Sequence, residues 1–302
     1  MPLSAALVGT AGDPVVHDID ARWLMAYAAG LGDTLPCYLD TRRPEGIIPH
    51  PLFPVCFEWP AVLAMRGDTG ASLTAEERLR AVHATHDLIL YRGVRPGGRV
   101  TTRATVVGVE RRKPGAYQVT RLDTTDATGA LVCTTWQGTL YRGVGVEGPD
   151  RPAQEVPALP RGTGVGPTLR AEVVVPIPAL AAHVYTECAR IWNPIHTDLA
   201  VAERAGLPGL ILHGTATLAL AVSRIIEVEA ENDPPRVWRV AGRFGAMVRM
   251  PSEVTVRVLS RRAAQEGEVV GFEVWNQEGQ PAVRDGLVIL RSRSAAPVAG
   301  GV

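Results

Sequence analysis

The sequence lacks the cysteine patterns that would mark a disulfide scaffold or a zinc site. Its 302 residues include only four cysteines, none of them in a Cys-x-x-Cys pair: Cys37, Cys56, Cys133 and Cys188. This scattered spacing favours free thiols in a reducing compartment. A Gly-x-x-x-x-Gly-Lys-Ser/Thr segment is also missing, so the 31 glycines and 24 prolines indicate turns and linkers rather than a phosphate-binding loop of that type.

The sequence has no excess of either charge and no long apolar run. Its 31 basic and 31 acidic residues give a formal net charge of zero, which excludes an overall field that would attract nucleic acid or an anionic membrane. No apolar run reaches the roughly 18 residues that span a bilayer. The first residues lack the basic and then apolar pattern of a secretory signal. These absences predict a soluble, cytoplasmic protein that binds neither nucleic acid nor membrane.

The residues that are present favour two domains of similar design. Hydrophobic residues make up 46% of the chain and charged residues 21%, which suits a packed core. A stretch rich in glycine and proline, without periodicity, predicts a linker at 146–168. It separates a unit at 1–145 from a unit at 169–302. Each unit has a helical stretch, an irregular loop, a longer apolar segment and several strands.

The two units are related by a constant offset of 158 residues. This offset superimposes three identical pairs, Tyr27 with Tyr185, Pro36 with Pro194, and Asp40 with Asp198. The later segments 88–112 and 238–262 also share a pattern, a strand followed by a turn and alternating β-branched residues. Further alternation predicts four half-buried strands, at 117–122, 130–141, 268–275 and 281–291.

The second unit contains a helix that is apolar on most faces, from Gly214 to about Glu229. A helix of this kind is expected to be buried. A buried helix wrapped by an antiparallel sheet is the hotdog arrangement, so we predict an α+β double hotdog with its two sheets joined edge to edge. The matching segment of the first unit, 51–66, carries Pro54 and Pro60. Because Pro60 would disturb a helix interior, we expect that helix to start later.

The loop of the second unit carries the most specific pattern. It reads Asn193-Pro194-Ile195-His196, then Asp198, Ala205-Gly206-Leu207-Pro208 and Leu212-His213-Gly214. In this order and spacing it resembles the MaoC-like dehydratases, the hydratase-2 family of (R)-specific enoyl-CoA hydratases, in their double-hotdog form. The resemblance implies an acyl thioester of CoA or acyl carrier protein as substrate and reversible addition of water. It implies a non-catalytic first hotdog, and no cofactor or metal beyond the CoA or phosphopantetheine of the substrate.

Three residues of this loop suit the chemistry of hydration. His196 is the candidate acid and base, because an ordinary histidine titrates near neutral pH. Asn193 could orient a water molecule or His196. Gly214 opens a helix whose first N–H groups could polarise the thioester carbonyl. His213, just before it, could cap the helix or line the pocket.

The carboxylate that the family places two residues before the asparagine is missing, because Ile191 stands there. Glu187 could replace it from one helical turn earlier if the helix continues, Tyr185 could donate through its hydroxyl, or His196 could act alone. Asp33 matches Ile191 in the repeat, but two sites related by that repeat should lie apart, so we do not expect Asp33 to meet His196.

Further residues of the loop are candidates for substrate binding. Arg190 could bind a second carboxylate or a CoA phosphate, and Ile191, Trp192 and His213 are expected to line the site. His83 and His86 have a spacing that can serve a metal, but no third ligand lies near in the sequence, so we predict no metal site.

Two other functions stay open beside hydration. One is different thioester chemistry, either hydrolysis or isomerisation, and the other is a non-catalytic subunit that binds acyl thioesters. Either way we expect a monomeric pseudo-dimer or a homodimer.

Overall fold

Two similar units of helix and sheet follow one another along the chain. The computed structural model describes residues 1–70, 73–158, 169–265 and 267–292. Within these residues the α-helices are α1 (Ala21–Gly30), α2 (Pro36–Leu39), α3 (Pro54–Thr69), α4 (Ala75–Leu79), α5 (Ala181–Ala189), α6 (Leu199–Arg204) and α7 (Gly214–Glu229). The strands of the first unit are β1 (Leu3–Ser4), β2 (Val15–Asp18), β3 (Ala81–Leu90), β4 (Arg99–Arg112), β5 (Gly115–Asp126), β6 (Leu131–Arg142) and β7 (Val146–Glu147). Those of the second are β8 (Ala171–Ile177), β9 (Val237–Phe244), β10 (Ser252–Ala264), β11 (Gly267–Asn276) and β12 (Pro281–Leu290).

The strands of both units form one continuous antiparallel sheet. In the described residues its order is β2-β4-β5-β6-β3-β9-β12-β11-β10-β8, while β1 and β7 form a separate parallel pair. The two halves meet where β3 pairs with β9, with Leu88 opposite Val240. This confirms the predicted double hotdog with its sheets joined edge to edge.

Each unit has a tight hairpin turn between two of the predicted strands. Asp126 Oδ1 accepts hydrogen bonds from the N–H groups of Thr128 and Ala130, at 2.9 and 3.1 Å, and Gly129 adopts a φ of +82°. In the second unit Asn276 Oδ1 accepts from the Gln280 N–H at 2.8 Å, and Gly279 has a φ of +70°. A carboxylate or amide side chain therefore closes each turn, and a glycine takes the left-handed position.

A long helix lies against the inner face of each half-sheet. α7 starts at Gly214 as predicted and is buried along most of its length. α3 starts at Pro54, so the expectation of a later start is wrong. Pro54 suits the first turn, where its missing N–H needs no partner. Pro60 lies inside the helix, which continues because both ends of α3 are packed into the core.

The matched tyrosines of the repeat meet where α1 packs against α5. The hydroxyl oxygens of Tyr27 and Tyr185 are 3.4 Å apart and both side chains are buried. Gly30 makes this approach possible, since a Cβ atom there would lie 2.8 Å from Cys188 Cβ. Tyr27 and Tyr185, which are related by the offset of 158 residues, are thus in contact between the two units.

The described part of the predicted linker lies along the first unit. Arg151 pairs with Val109 through two backbone hydrogen bonds of 2.8 Å, and residues 159–168 lie outside the described residues. The domain limits at 145 and 169 therefore stay predictions. Over the described ranges, the helices are too short or too polar to cross a membrane.

Candidate active site

A cavity of about 200 Å³ opens beside the predicted catalytic loop and is lined by both halves of the chain. The second half contributes Ile191, Asn193, His196, His213, Gly214 and Thr215. The first half contributes polar side chains from α3, β3 and β6, namely Glu58, Arg66, His83, His86 and Gln137. The first hotdog, expected to be non-catalytic, therefore builds one wall of the candidate site.

One ring nitrogen of His196 is fixed by a hydrogen bond, and the other has no hydrogen-bond partner among the residues that the structure describes. It ends a single 3-10 turn, Pro194–His196, which Asn193 begins. Its Nδ1 lies 2.9 Å from the backbone oxygen of Ile211. A carbonyl can only accept, so Nδ1 carries the hydrogen and Nε2 keeps its lone pair in the neutral ring. Burial lowers the pKa of His196 to about 4, although the Ile211 carbonyl raises it, so the ring is neutral at physiological pH.

His213 stacks on His196 and shares its burial. The ring centroids are 3.7 Å apart and the planes are inclined by 24°. His213 Nε2 lies 3.2 Å from Thr186 Oγ1. Burial, and then the neighbouring His196, lower the pKa of His213 well below its ordinary value. The pair therefore resists protonation, and His213 lines the pocket as predicted without capping α7 through its side chain.

The start of α7 presents free N–H groups to the cavity. Among the described residues, no hydrogen-bond acceptor pairs with the backbone N–H of Gly214 or Thr215. A Cβ atom on Gly214 would lie 3.0 Å from Cδ1 of Phe244, so the glycine lets the ring pack against the helix start. Unpaired N–H groups at a helix N-terminus carry partial positive charge and suit a developing oxyanion.

Ile191 lies in the cavity wall, at the position where the resemblance leads us to expect a carboxylate. Its side chain is 5% exposed and packs into the main hydrophobic core. Nothing in an isoleucine side chain can hold a water molecule or carry a proton. The substitution thus leaves an apolar surface next to His196.

Glu187 does not replace the missing carboxylate, and that prediction is wrong. α5 ends at Ala189 and Arg190 adopts a left-handed φ of +57°, so Glu187 and Ile191 do not share a helical face. The Glu187 side chain is exposed, 3.5 Å from Nε1 of Trp192, outside the cavity lining. Trp192 is itself 60% exposed and also lies outside the lining, contrary to expectation.

Arg190 is also placed away from the cavity. Its guanidinium lies 4.1 Å over the ring of Trp23 and 3.6 Å from the carboxylate of Asp20. These partners engage the cation on the outside of the α1–α5 contact. The prediction that Arg190 binds substrate is therefore wrong for the site beside His196.

The other two candidates for the missing acid, Tyr185 and Asp33, do not line the cavity. The Tyr185 hydroxyl donates to Thr215 Oγ1 at 3.1 Å, and burial raises its pKa. Asp33 accepts from the Leu35 N–H at 3.2 Å and does not line the cavity. The negative charge of Asp33 is close enough to act on Glu227. Burial raises the pKa of Glu227, the Arg224 cation lowers it, and Asp33 raises it again. Glu227 is about 20 Å along α7 from Gly214, which confirms that Asp33 and His196 do not meet.

Comparison with known proteins agrees with this fold. Residues 164–278 match the MaoC like domain, and residues 6–135 match the FAS1-like dehydratase domain region. Each unit of the chain thus matches a dehydratase domain model, the second unit that of the MaoC like domain.

Relatives of this chain carry the names of hydratases and dehydratases. It is 33% identical over 105 residues to the peroxisomal enoyl-CoA hydratase 2 of Arabidopsis thaliana, which covers 35% of this chain but only 32% of that protein. It is 27% identical over 230 residues to enoyl-CoA hydratase ChsH3 of Mycobacterium tuberculosis, covering 75% of this chain and 70% of that protein. A crystal structure of a MaoC-like dehydratase from Phytophthora capsici shares the fold, with a TM-score of 0.81, 19% identity, and coverage of 97% and 98%.

One carboxyl group of this site is not predicted from the sequence. Among the described residues that line the cavity, Glu58 is the sole carboxyl. Its Oε1 accepts a hydrogen bond of 2.7 Å from Thr135 Oγ1, and burial raises its pKa to about 7. The available signal is that Glu58 is the lone acidic residue in the apolar segment 51–66. His83 and His86 are similarly visible in the sequence, but only as possible metal ligands.

The buried histidines predict a loss of stability in mild acid. Burial lowers the pKa of His50 to about 3 and that of His86 and His196 to about 4, and it lowers the pKa of His83 and of His213 well below the ordinary value. The unfolded chain binds these protons near pH 6.5, so each histidine costs about 1.4 kcal/mol of unfolding free energy per pH unit below that value.

Glu58 opposes this trend, since its raised pKa stabilises the folded chain as pH falls from about 7. With five histidines against one glutamate, we expect a net loss of at least about 3 kcal/mol between pH 7 and 5. Urea denaturation at the two pH values measures it. Equal unfolding free energies would show that these rings are not buried in neutral form.

Proposed function

We propose that the chain adds water reversibly across the α,β double bond of an enoyl thioester carried by CoA or acyl carrier protein. The observation that carries the proposal is the pairing of a neutral His196, with Nε2 free, and unpartnered N–H groups at the start of α7 in one cavity. The matched domain models and the names of the relatives support the same reaction class. The only cofactor group that this chemistry needs is the CoA or phosphopantetheine of the substrate.

The thioester carbonyl is bound at the start of α7. The N–H of Gly214, with that of Thr215 beside it, donates to the thioester oxygen. Attack at Cβ moves the π electrons of the double bond towards this oxygen and gives an enolate. Donors that are already fixed in place stabilise such charge without rearranging as the reaction proceeds.

His196 moves the proton. Nε2 takes a proton from the attacking water while the water oxygen bonds to Cβ. The imidazolium then returns this proton to Cα, which restores the thioester carbonyl and completes the addition of one water molecule. A base with a pKa of about 4 is weak but always available at neutral pH, and its imidazolium is a strong acid for the second step.

Asn193 and Ile191 fit a mechanism with one proton carrier. Asn193 begins the 3-10 turn that ends in His196, and its amide lies in the cavity wall where it can hold the water. Ile191 places an apolar side chain, and no carboxylate, at its own position in the wall. Of the alternatives for the missing acid, the geometry favours His196 acting alone.

Incubation with trans-2-enoyl-CoA tests the proposed function. The expected result is loss of enoyl absorbance with formation of 3-hydroxyacyl-CoA and no release of free thiol. Thiol release without a hydroxyacyl product would make the protein a thioesterase. Binding of the CoA ester without turnover would make it a non-catalytic binding subunit, and either result contradicts the proposal.

A further inference from the structure

The first hotdog presents unpartnered histidine nitrogens to the cavity. His86 on β3 is 2% exposed, and neither of its ring nitrogens has a hydrogen-bond partner among the described residues. His83 lies beside it, with ring centroids 5.4 Å apart, and its Nε2 is also buried without a partner. The mechanism above uses neither ring. Buried polar groups of this kind cost stability unless something supplies their hydrogen bonds.

Neighbouring side chains extend this polar wall. Gln137 is 7% exposed and lies opposite His86 in the β3–β6 pairing. From α3, Arg66 reaches the same cavity with its Nε buried and unpartnered. Within the described ranges Arg66 has no ion pair, and its guanidinium lies 5.6 Å from the ring centroid of Trp59. The polar wall, defined as Glu58, Arg66, His83, His86 and Gln137, thus offers hydrogen-bond donors from the Arg66 guanidinium, the Gln137 amide and one nitrogen of each neutral imidazole.

The corresponding interior of the second hotdog is apolar. There the strands in the matching places, β9 and β12, carry Val240, Val283, Val288 and Leu290, all buried in the main hydrophobic core. A polar interior on these strands is therefore not a requirement of the fold.

The polar wall lies in the same cavity as the groups that hold the thioester. When the substrate carbonyl is bound at Gly214 and its Cβ lies at His196, the acyl chain has to lie in the remaining part of the cavity. The remaining polar lining comes mainly from α3, β3 and β6 of the first half. An alkyl chain would bury these donors without satisfying them, whereas oxygen atoms on the chain would accept from them.

We propose that the polar wall selects enoyl thioesters whose acyl chain carries oxygen, as a hydroxyl, oxo or carboxylate group, over plain alkyl chains. The inference rests on the proposed hydratase function and adds the substrate class. His86, His83 and Gln137 bind the oxygen atoms, and Arg66 adds attraction for a carboxylate. Sites that hydrogen-bond a substrate group discriminate strongly against an analogue that lacks it, because their own polar groups then stay unpaired.

Three CoA thioesters of equal chain length test the selection. They are trans-2-hexenoyl-CoA, 6-hydroxy-trans-2-hexenoyl-CoA and the monothioester of trans-2-hexenedioic acid. We expect wild-type kcat/KM to be at least about tenfold higher for one or both oxygen-bearing substrates than for the alkyl one. The two oxygen-bearing substrates distinguish a hydroxyl from a carboxylate as the preferred group.

Substitution of residues in the polar wall should change which of the three substrates is preferred. His86→Leu is expected to lose at least about tenfold in kcat/KM on the oxygen-bearing substrates while keeping or gaining activity on the alkyl one. Arg66→Met should lose mainly the carboxylate substrate, and it serves as a second variant if His86→Leu does not fold. His17→Leu makes the same change outside the cavity and should leave all three rates unchanged.

Each contrary outcome has a distinct meaning. A wild-type protein that hydrates the alkyl substrate as well as the others overturns the selection and leaves the hydratase function standing. An equal loss on all three substrates in His86→Leu also overturns it, because the wall would then contact the shared CoA arm. Absence of turnover by the wild-type protein on all three, with none on crotonyl-CoA, overturns the hydratase function itself.

Discussion

Replacing Asp87 with alanine is expected to lower the free energy of unfolding by about 3 to 5 kcal/mol. Asp87 lies on β3 and Arg239 on β9, so their ion pair crosses the junction between the two hotdogs. The Arg239 guanidinium donates to both carboxylate oxygens, at 2.8 and 2.6 Å, and their side chains are 3% and 12% exposed. It also donates to the backbone oxygens of Pro157 and Ala158. Removing the carboxylate leaves a buried cation without its anion.

Urea denaturation of Asp87→Ala measures the effect, and a neighbouring pair supplies the control. Arg243 lies four residues along β9 and pairs with Asp285 at 3.5 Å, but the two side chains are 53% and 60% exposed. Arg243→Ala should therefore change the unfolding free energy by no more than about 0.5 kcal/mol. If Asp87→Ala unfolds at the same urea concentration as wild type, the pair does not hold the junction. The double variant Asp87→Leu with Arg239→Met should recover much of the loss, because it leaves no unpaired charge.

Most of the fold prediction follows from the sequence repeat that relates the two units. Matching Tyr27 with Tyr185 predicts two related units, and these tyrosines meet in the structure. The Asn193–His196 loop and the helix start at Gly214 are also where the sequence predicts them. Such features are local, since a turn, a helix start and an apolar helix each depend on neighbouring residues. They can therefore be recognised without knowing which distant segments pack together.

The features that the sequence predicted wrongly or did not predict depend on local backbone conformation or on pairing between distant segments. Glu187 was expected to reach the site only if α5 continued, and the left-handed Arg190 ends it. Pro60 was expected to delay α3, whereas packing at both ends keeps the helix intact. His86 reaches the cavity because its strand, β3, pairs with β9. Glu58 reaches it because α3 lies against the inner face of the sheet. No spacing within the sequence links residue 58 or 86 to residue 196.

The largest kinetic effect is expected for His196→Gln. Glutamine can still fill the space and form hydrogen bonds, but its amide cannot take a proton from water or return one to Cα. Loss of a positioned general acid and base typically costs about 10² to 10⁴ in rate, and because no second carrier stands at Ile191 we expect about 10³ or more. KM should change little, since Gly214 and the polar wall still bind the thioester. His17→Gln, outside the cavity, is the matched control.

The central claim is that His196 alone carries the proton in this site, and the turnover number of His196→Gln on a saturating trans-2-enoyl-CoA tests it most directly. The variant should keep the thermal unfolding midpoint of the folded protein and form 3-hydroxyacyl-CoA at least about 10³-fold more slowly than wild type. A folded His196→Gln protein that hydrates the substrate at the wild-type rate would contradict the account.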